Sequence, residues 1–425
     1  MIRAPLTFGQ LSLWRSIQGL SPEACNLPQT WTVPDGVSLA SVEEALAALE
    51  DRHESLRTRY EPDGEHDLVQ AVWPAAPVRL DTVEADGDAD QVAQAVTERA
   101  GAEAFELAKD RPWRACAVTA RGAPVLLVIC FHHIAVDAWA INQLRQEFLL
   151  LVDGLRLTEP APNGRDLAAE QWSAARERRR TAARRFWTGV FEQAPPMERD
   201  HGLDAPDGPR PLSTRWARLG SKEAADAAGR IAGRLEVSLP SVALAAFCLA
   251  LHRRTGRDRL LVAVYAHNRS DPRWETLVAA QNQIVPLLVE PRDGEDFGEL
   301  VRRVHWDSVR SYRHSAYNVD DVLEAGRAYG YRGSVNGSFA GSVSGFFRYF
   351  FNYLGAYQEE HTSVDEEIRT GTVGRNIGAP LYLQVQAGEA LTCTLRENST
   401  GTGYDEVTGL LLLMRDILVA AAGPE

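Results

Sequence analysis

The stretch that decides the reading is Pro124-Val-Leu-Leu-Val-Ile-Cys-Phe-His-His-Ile-Ala-Val-Asp137. Its run from Pro124 to Phe131 is continuously apolar, as a strand covered on both faces must be. Just upstream, Trp113 to Thr119 reads as a partner strand and Arg121-Gly122 as the turn between the two. Downstream, Ala138 to Val152 carries Ile141, Leu144, Phe148 and Leu151 as an apolar helical stripe. His132 and His133 therefore stand between the exit of a buried strand and the start of a helix, with the carboxylate of Asp137 four residues beyond the second histidine.

Imidazole at such a place is suited to proton transfer. With an ordinary pKa of about 6.5, a histidine takes a proton from an attacking amine or hydroxyl at neutral pH, or holds that nucleophile by hydrogen bond. A plainer reading makes the histidines turn residues and Asp137 a helix N-cap. Zinc is disfavoured, because His-His-x-x-x-Asp is not H-E-x-x-H and no nearby Cys or Glu completes a ligand set.

Working outward, Ser41 and Glu44 have capping-box spacing, and Val42, Ala45, Leu46 and Leu49 predict a helix running towards Arg52. Leu56 to Tyr60, Pro62-Asp63-Gly64 and Leu68 to Trp73 read as strand, turn, strand. An arginine-rich helix is expected over about 168–188, a loop over Pro195 to Pro211, and a lobe boundary in this region. Ser238 and Pro240 open an apolar helix that ends near Gly256, and Arg259 to Tyr265 follows as a strand. Gly333 to Gly345 is rich in Gly and Ser and precedes an aromatic strand from Phe346 to Gly355.

A chain of 425 residues exceeds the usual size of one hydrophobic core, so two lobes are expected, divided as 1–175 and 176–425. Hydrophobic content of 45% and charged content of 24% are those of a globular protein. The net charge of −13 argues against non-specific binding to nucleic acid or to an anionic membrane, since both need a cationic field. Cys25, Cys116, Cys130, Cys248 and Cys393 are scattered, with no C-x-x-C pair, so reduced buried thiols are expected. The first residues do not read as a secretory signal, and no run of 18 apolar residues occurs. A soluble cytoplasmic protein is the expectation.

Several strings, in order, resemble the condensation domain of nonribosomal peptide synthetases. His132-His133-x-x-x-Asp137 matches that family's H-H-x-x-x-D signature. Arg52-His53-Glu54-Ser55-Leu56-Arg57-Thr58 is similar to its R-H-E-x-L-R-T element, and Leu6-Thr7-x-x-Gln10-x-x-Leu13-Trp14 to its opening motif. Phe105-Glu106-Leu107 with Pro112 and Arg114, Ala266-His-Asn268-Arg269, and Phe351-Asn-Tyr-Leu-Gly355 fall where the family carries similar strings.

The resemblance implies an α/β fold of two chloramphenicol-acetyltransferase-like lobes with mixed sheets, forming a V-shaped pseudo-dimer around a central tunnel. It also implies a free-standing, monomeric acyltransferase. The donor would be an acyl or aminoacyl thioester on the phosphopantetheine arm of a carrier protein. The acceptor would be an amine, free or carrier-bound, and the enzyme would bind no cofactor or metal of its own. A hydroxyl acceptor giving an ester, and a non-catalytic domain recruiting a partner enzyme, are the alternatives.

On this reading His133 is the catalytic base or the positioner of the acceptor nitrogen, and His132 is architectural. Asp137 is structural, paired with Arg269 from the second lobe, while Arg52 and Arg57 are scaffold. Ala138, Trp139, Gln283 and Asn352 would line the tunnel. Ala138 stands where the family usually has glycine, Gln283 stands in the register of a family asparagine, and His314 to Asn318 is only faintly similar to an aromatic-rich segment. A diverged member is implied, and the arginine-rich helix bearing Arg176, Arg178, Arg179, Arg180, Arg184 and Arg185 is a candidate face for docking a carrier.

Overall fold

The apolar run forms the Ala123–His132 strand, buried without interruption from Leu127 to His132. It is an inner strand of a four-stranded sheet, ordered Asn26–Thr32, Ala123–His132, Trp113–Ala120, Asp81–Glu84. Arg121 and Gly122 both take the left-handed conformation, at φ 53° and 77°, which a two-residue hairpin turn needs to match the strand twist. The computed structural model describes residues 1–18, 20–64, 67–194, 214–331, 342–355, 367–373, 379–398 and 404–423.

Two compact units result: Met1–Arg178 with His267–Gln283, and Arg179–Ala266 with Ile284–Glu425. The second part of each unit is thus discontinuous in sequence, unlike a single cut at 175/176. In the first unit a smaller sheet, ordered Ile2–Pro5, Asp67–Val72, Thr58–Asp63, stands beside the four-stranded one. In the second unit a mixed seven-stranded sheet is ordered Gln283–Val289, Leu260–Ala266, Tyr349–Tyr353, Leu381–Ala387, Leu391–Glu397, Thr214–Ser221, Glu367–Val373. Tyr349–Tyr353 pairs in parallel with strands on both sides, and the last four strands pair antiparallel. Its core helix, Leu239–Thr255, is buried all round from Ser241 to His252, has proline in its first turn and ends on Gly256 at φ 65°.

Several local expectations shift. The helix predicted after Ser41 is Leu39–Arg52, capped by Ser38, whose hydroxyl accepts from the Ser41 amide at 3.0 Å. Glu54–Arg57 is a 3₁₀ turn, and the hairpin strands are Thr58–Asp63 and Asp67–Val72. The arginine-rich helix is interrupted, with Gly164–Trp172 and Glu177–Gln193 separated by an extended Ser173. Pro195 to Pro211 and residues 333–341 lie outside the described residues. Among the described residues no single helix is long and apolar enough to cross a membrane.

Candidate functional site

The strand exit is held from both sides. The amide of His133 donates to the Cys25 carbonyl at 2.9 Å, and that of His132 to Pro112 at 2.8 Å. His133 is only partly buried, and its Nδ1 lies 2.7 Å from the Val136 carbonyl. A carbonyl can only accept, so Nδ1 carries a proton, and in the neutral ring the lone pair is on Nε2.

His132 differs from its neighbour in burial and in hydrogen-bond partner. It is buried, its Nδ1 accepts from the Ile134 amide at 3.2 Å, and its ring meets Phe105 edge-on. Burial, and to a lesser extent the neighbouring imidazole of His133, push its pKa down to about 3. The folded state therefore keeps His132 neutral where the unfolded chain would take up a proton. Stability from this group is complete above about pH 6.5 and falls as pH drops from there towards 3. Unfolding free energy measured between pH 4 and 7 is expected to lose about one proton of slope in His132→Asn. Parallel curves for the two proteins would show that His132 is not held neutral.

Asp137 caps the helix Ala138–Val152 through the Ala140 amide at 3.0 Å and also receives both arms of Arg269, at 2.8 and 2.9 Å. The amides of Gln281 and Asn282 add donors at 3.0 and 3.2 Å. Asp137 thus both caps the helix and pairs with Arg269, but Arg269 comes from its own compact unit and not, as expected, from a second lobe. Burial alone would raise its pKa, but the Arg269 charge and these donors outweigh it and hold the carboxyl below its ordinary value. Arg269, fully buried, directs further Nη donors to the carbonyls of His267, Leu277 and Ala279, while its Nε is buried without a partner. Its segment, His267–Gln283, belongs to the same compact unit as Asp137.

Residues of the two upstream strings, together with Tyr60, hold the loop and the elements around it. Gln10 donates to the Tyr60 hydroxyl at 3.2 Å, and that hydroxyl donates to the Ile134 carbonyl at 3.2 Å. Ser55 donates to the Ala135 carbonyl at 2.5 Å. His53 and Arg52 meet Glu147 at 2.6 and 3.2 Å, while Arg57 binds the carbonyls of Glu50 and Trp73 at 3.2 and 2.8 Å. Arg57 thus ties helix end to hairpin rather than touching the histidine loop.

Gly9, an unassigned position in the opening string, proves to matter. A Cβ there would stand 2.4 Å from the Ala280 carbonyl oxygen. Alanine in a helix normally gains about 0.5–1 kcal/mol over glycine, but the overlap reverses the sign and Gly9→Ala is expected to cost about 1–3 kcal/mol. Urea unfolding would check this, and a stabilised variant would show that the approach of Ala279-Ala280-Gln281 to the helix is loose.

Of the remaining expected residues, Ala138 and Trp139 are the exposed first residues of their helix. Trp139 donates to the Glu275 carbonyl at 2.9 Å and stacks on His267 at 5.1 Å, which sequence reasoning did not single out. Gln283 is buried, with its Oε1 3.4 Å from Asn268 Nδ2. Asn352 lies in the other unit and donates to the Tyr382 hydroxyl at 2.8 Å. Among the described residues no three His, Cys, Asp or Glu side chains are grouped to hold a metal ion.

The condensation-domain family profile matches residues 3–332. The chain is 30% identical over 311 residues to N-(5-amino-5-carboxypentanoyl)-L-cysteinyl-D-valine synthase of Amycolatopsis lactamdurans, covering 71% of this chain but only 8% of that synthase. Among solved structures, a condensation domain mediating chain release from the enacyloxin polyketide synthase aligns with TM-score 0.80 at 22% identity, over 99% of this chain and 83% of that one. The condensation domain of the monacolin K polyketide synthase MokA aligns with TM-score 0.81 at 17% identity, over 99% and 98%. At these identities the structural likeness speaks for the fold, and the profile for the family. With its histidine loop on a buried strand and its acetyltransferase-like mixed sheets, this chain belongs to the condensation-domain family.

Proposed function

We propose that the chain transfers an acyl or aminoacyl group from the phosphopantetheine thioester of a carrier protein to an amine, forming an amide, and acts on that carrier in trans as a separate enzyme. Family members act on carrier-bound substrates. The observation that carries the transfer reading is the placement of His133: its Nδ1 is engaged by the Val136 carbonyl, which leaves Nε2 of the neutral ring to meet an acceptor, amine and hydroxyl alike.

In the proposed step the amine nitrogen adds to the thioester carbonyl carbon, Nε2 receives the proton that nitrogen sheds, and the C–S bond breaks as the C–N bond is kept. The departing pantetheine thiolate regains the proton. No covalent enzyme intermediate is needed, since the thioester supplies the driving force and binding supplies proximity. Asp137 is assigned a positioning role, because its oxygens are already occupied by five donors. Ala138 and Trp139 are read as lining for the pantetheine arm, Gln283 and Asn352 as lining for the substrates, and His132 and Arg57 as scaffold.

The test is intact-protein mass spectrometry of acyl-loaded carrier proteins incubated with the enzyme and a panel of matched amines and alcohols. Acyl loss with a matching amide is the expected result. Ester formation without amide would reassign the acceptor, and carrier binding with no transfer from any donor would make the chain a recruitment domain.

A further inference from the structure

The second unit contains a cavity of about 530 Å³ that the transfer reaction does not use. It lies where the last turn of the Leu239–Thr255 helix meets the starts of Tyr349–Tyr353 and Leu381–Ala387 and the first half of the Tyr404–Ala422 helix. Its floor is apolar, made by Leu251, Leu395, Val407 and Leu410. Three guanidinium groups, those of Arg253, Arg254 and Arg348, face two carboxylates, those of Glu397 and Glu406, so the lining is positive by one.

A helix C-terminus by itself favours cations and would account for Arg253 and Arg254. It does not account for Tyr349. This side chain is 5% exposed, lines the cavity, and buries its hydroxyl without a hydrogen-bond partner. Buried phenols ordinarily find one. Arg254, though exposed, lays its Nη1 3.3 Å from where a Cβ on Gly409 would stand, along the neighbouring helix. Neither Arg253 nor Arg254 has a carboxylate partner among the described residues.

We propose that this cavity is a second ligand site, taking a small molecule with an apolar body and one anionic head, a carboxylate or a phosphate. The leucine and valine floor receives the body. The guanidinium forks hold the head, whose geometry they match with paired N–H donors, and the Tyr349 hydroxyl donates to it. A volume of about 530 Å³ is in the range of small-molecule pockets.

Calorimetric titration of the 425-residue chain with hexanoate, hexyl phosphate and 1-hexanol tests this. At least one anion is expected to bind saturably with 1:1 stoichiometry, about tenfold or more tighter than the alcohol. The preference between hexanoate and hexyl phosphate identifies the head group. Affinity should fall about tenfold in Arg253→Gln/Arg254→Gln, whose exposed side chains can change without disturbing the core, and also in Tyr349→Phe and Gly409→Leu. Failure of both anions to bind at millimolar concentration, equal affinity for 1-hexanol, or unchanged affinity in variants with wild-type circular dichroism would each overturn the proposal.

Discussion

Arg269→Gln is expected to cost about 3–5 kcal/mol of unfolding free energy at pH 7, the usual penalty for leaving a buried charge without its partner. The two side chains are 0% and 4% exposed, so water cannot replace the lost guanidinium. Asp137 would keep the amides of Ala140, Gln281 and Asn282 but lose both charged donors. The pH dependence supplies a sharper check than the magnitude. In the wild type the Asp137 pKa lies below its ordinary value, so its contribution is present above about pH 4 and lost on acidification. Without Arg269, burial dominates and the pKa rises, so the carboxylate becomes a liability that protonation removes. The gap between variant and wild type should therefore narrow as pH is lowered from 7 towards 4.5 in urea unfolding. Asp137→Asn/Arg269→Gln should recover part of the loss. A gap under about 1 kcal/mol, or one that widens on acidification, would fit an exposed pair and not this one.

The histidine loop was legible because its determinants are local. A continuous apolar run, an Arg-Gly turn and a helical stripe after Asp137 are all read within forty residues, and they form Trp113–Ala120, Ala123–His132 and Ala138–Val152. The partner of Asp137 is 132 residues away and was reached through family likeness, not through any local pattern. Its backbone donors at Gln281 and Asn282 could not be read at all, since every residue but proline carries the same amide. Gly9 has the same opacity: nothing in Phe8-Gly9-Gln10 announces a carbonyl some 270 positions later in the chain. Tyr60 was readable as a strand residue, but its hydroxyl bridge from Gln10 to Ile134 depends on three separate elements. The interrupted arginine-rich helix failed for another reason. Arginine is a good helix former, so propensity favoured continuity. Ion pairs of Glu170 with Arg176 and Arg273 accompany the break at Ser173, and such pairs have no signature in a single sequence.

The proposed role of His133 sets the other large effect: His133→Ala should lower the rate of acyl transfer by about 10²–10⁴-fold, the range for loss of a positioned acid–base group. The fold should survive, because His133 is only partly buried and the loop remains held by Ser55, Tyr60 and the Asp137 clamp. Carrier affinity should change little, so the loss belongs in kcat and not in KM. Two amide substitutions separate the base from the positioner. Asparagine can restore the donor to Val136 but places nothing where Nε2 stood, whereas glutamine can offer an acceptor oxygen in roughly that place. If Nε2 only orients the acceptor amine, His133→Gln should retain activity within about tenfold of wild type. If Nε2 removes the proton, glutamine should fall as far as alanine, since a neutral amide oxygen is far too weak a base at pH 7. Undiminished transfer in all three variants would remove His133 from the reaction and leave the geometry of its loop as scaffold alone.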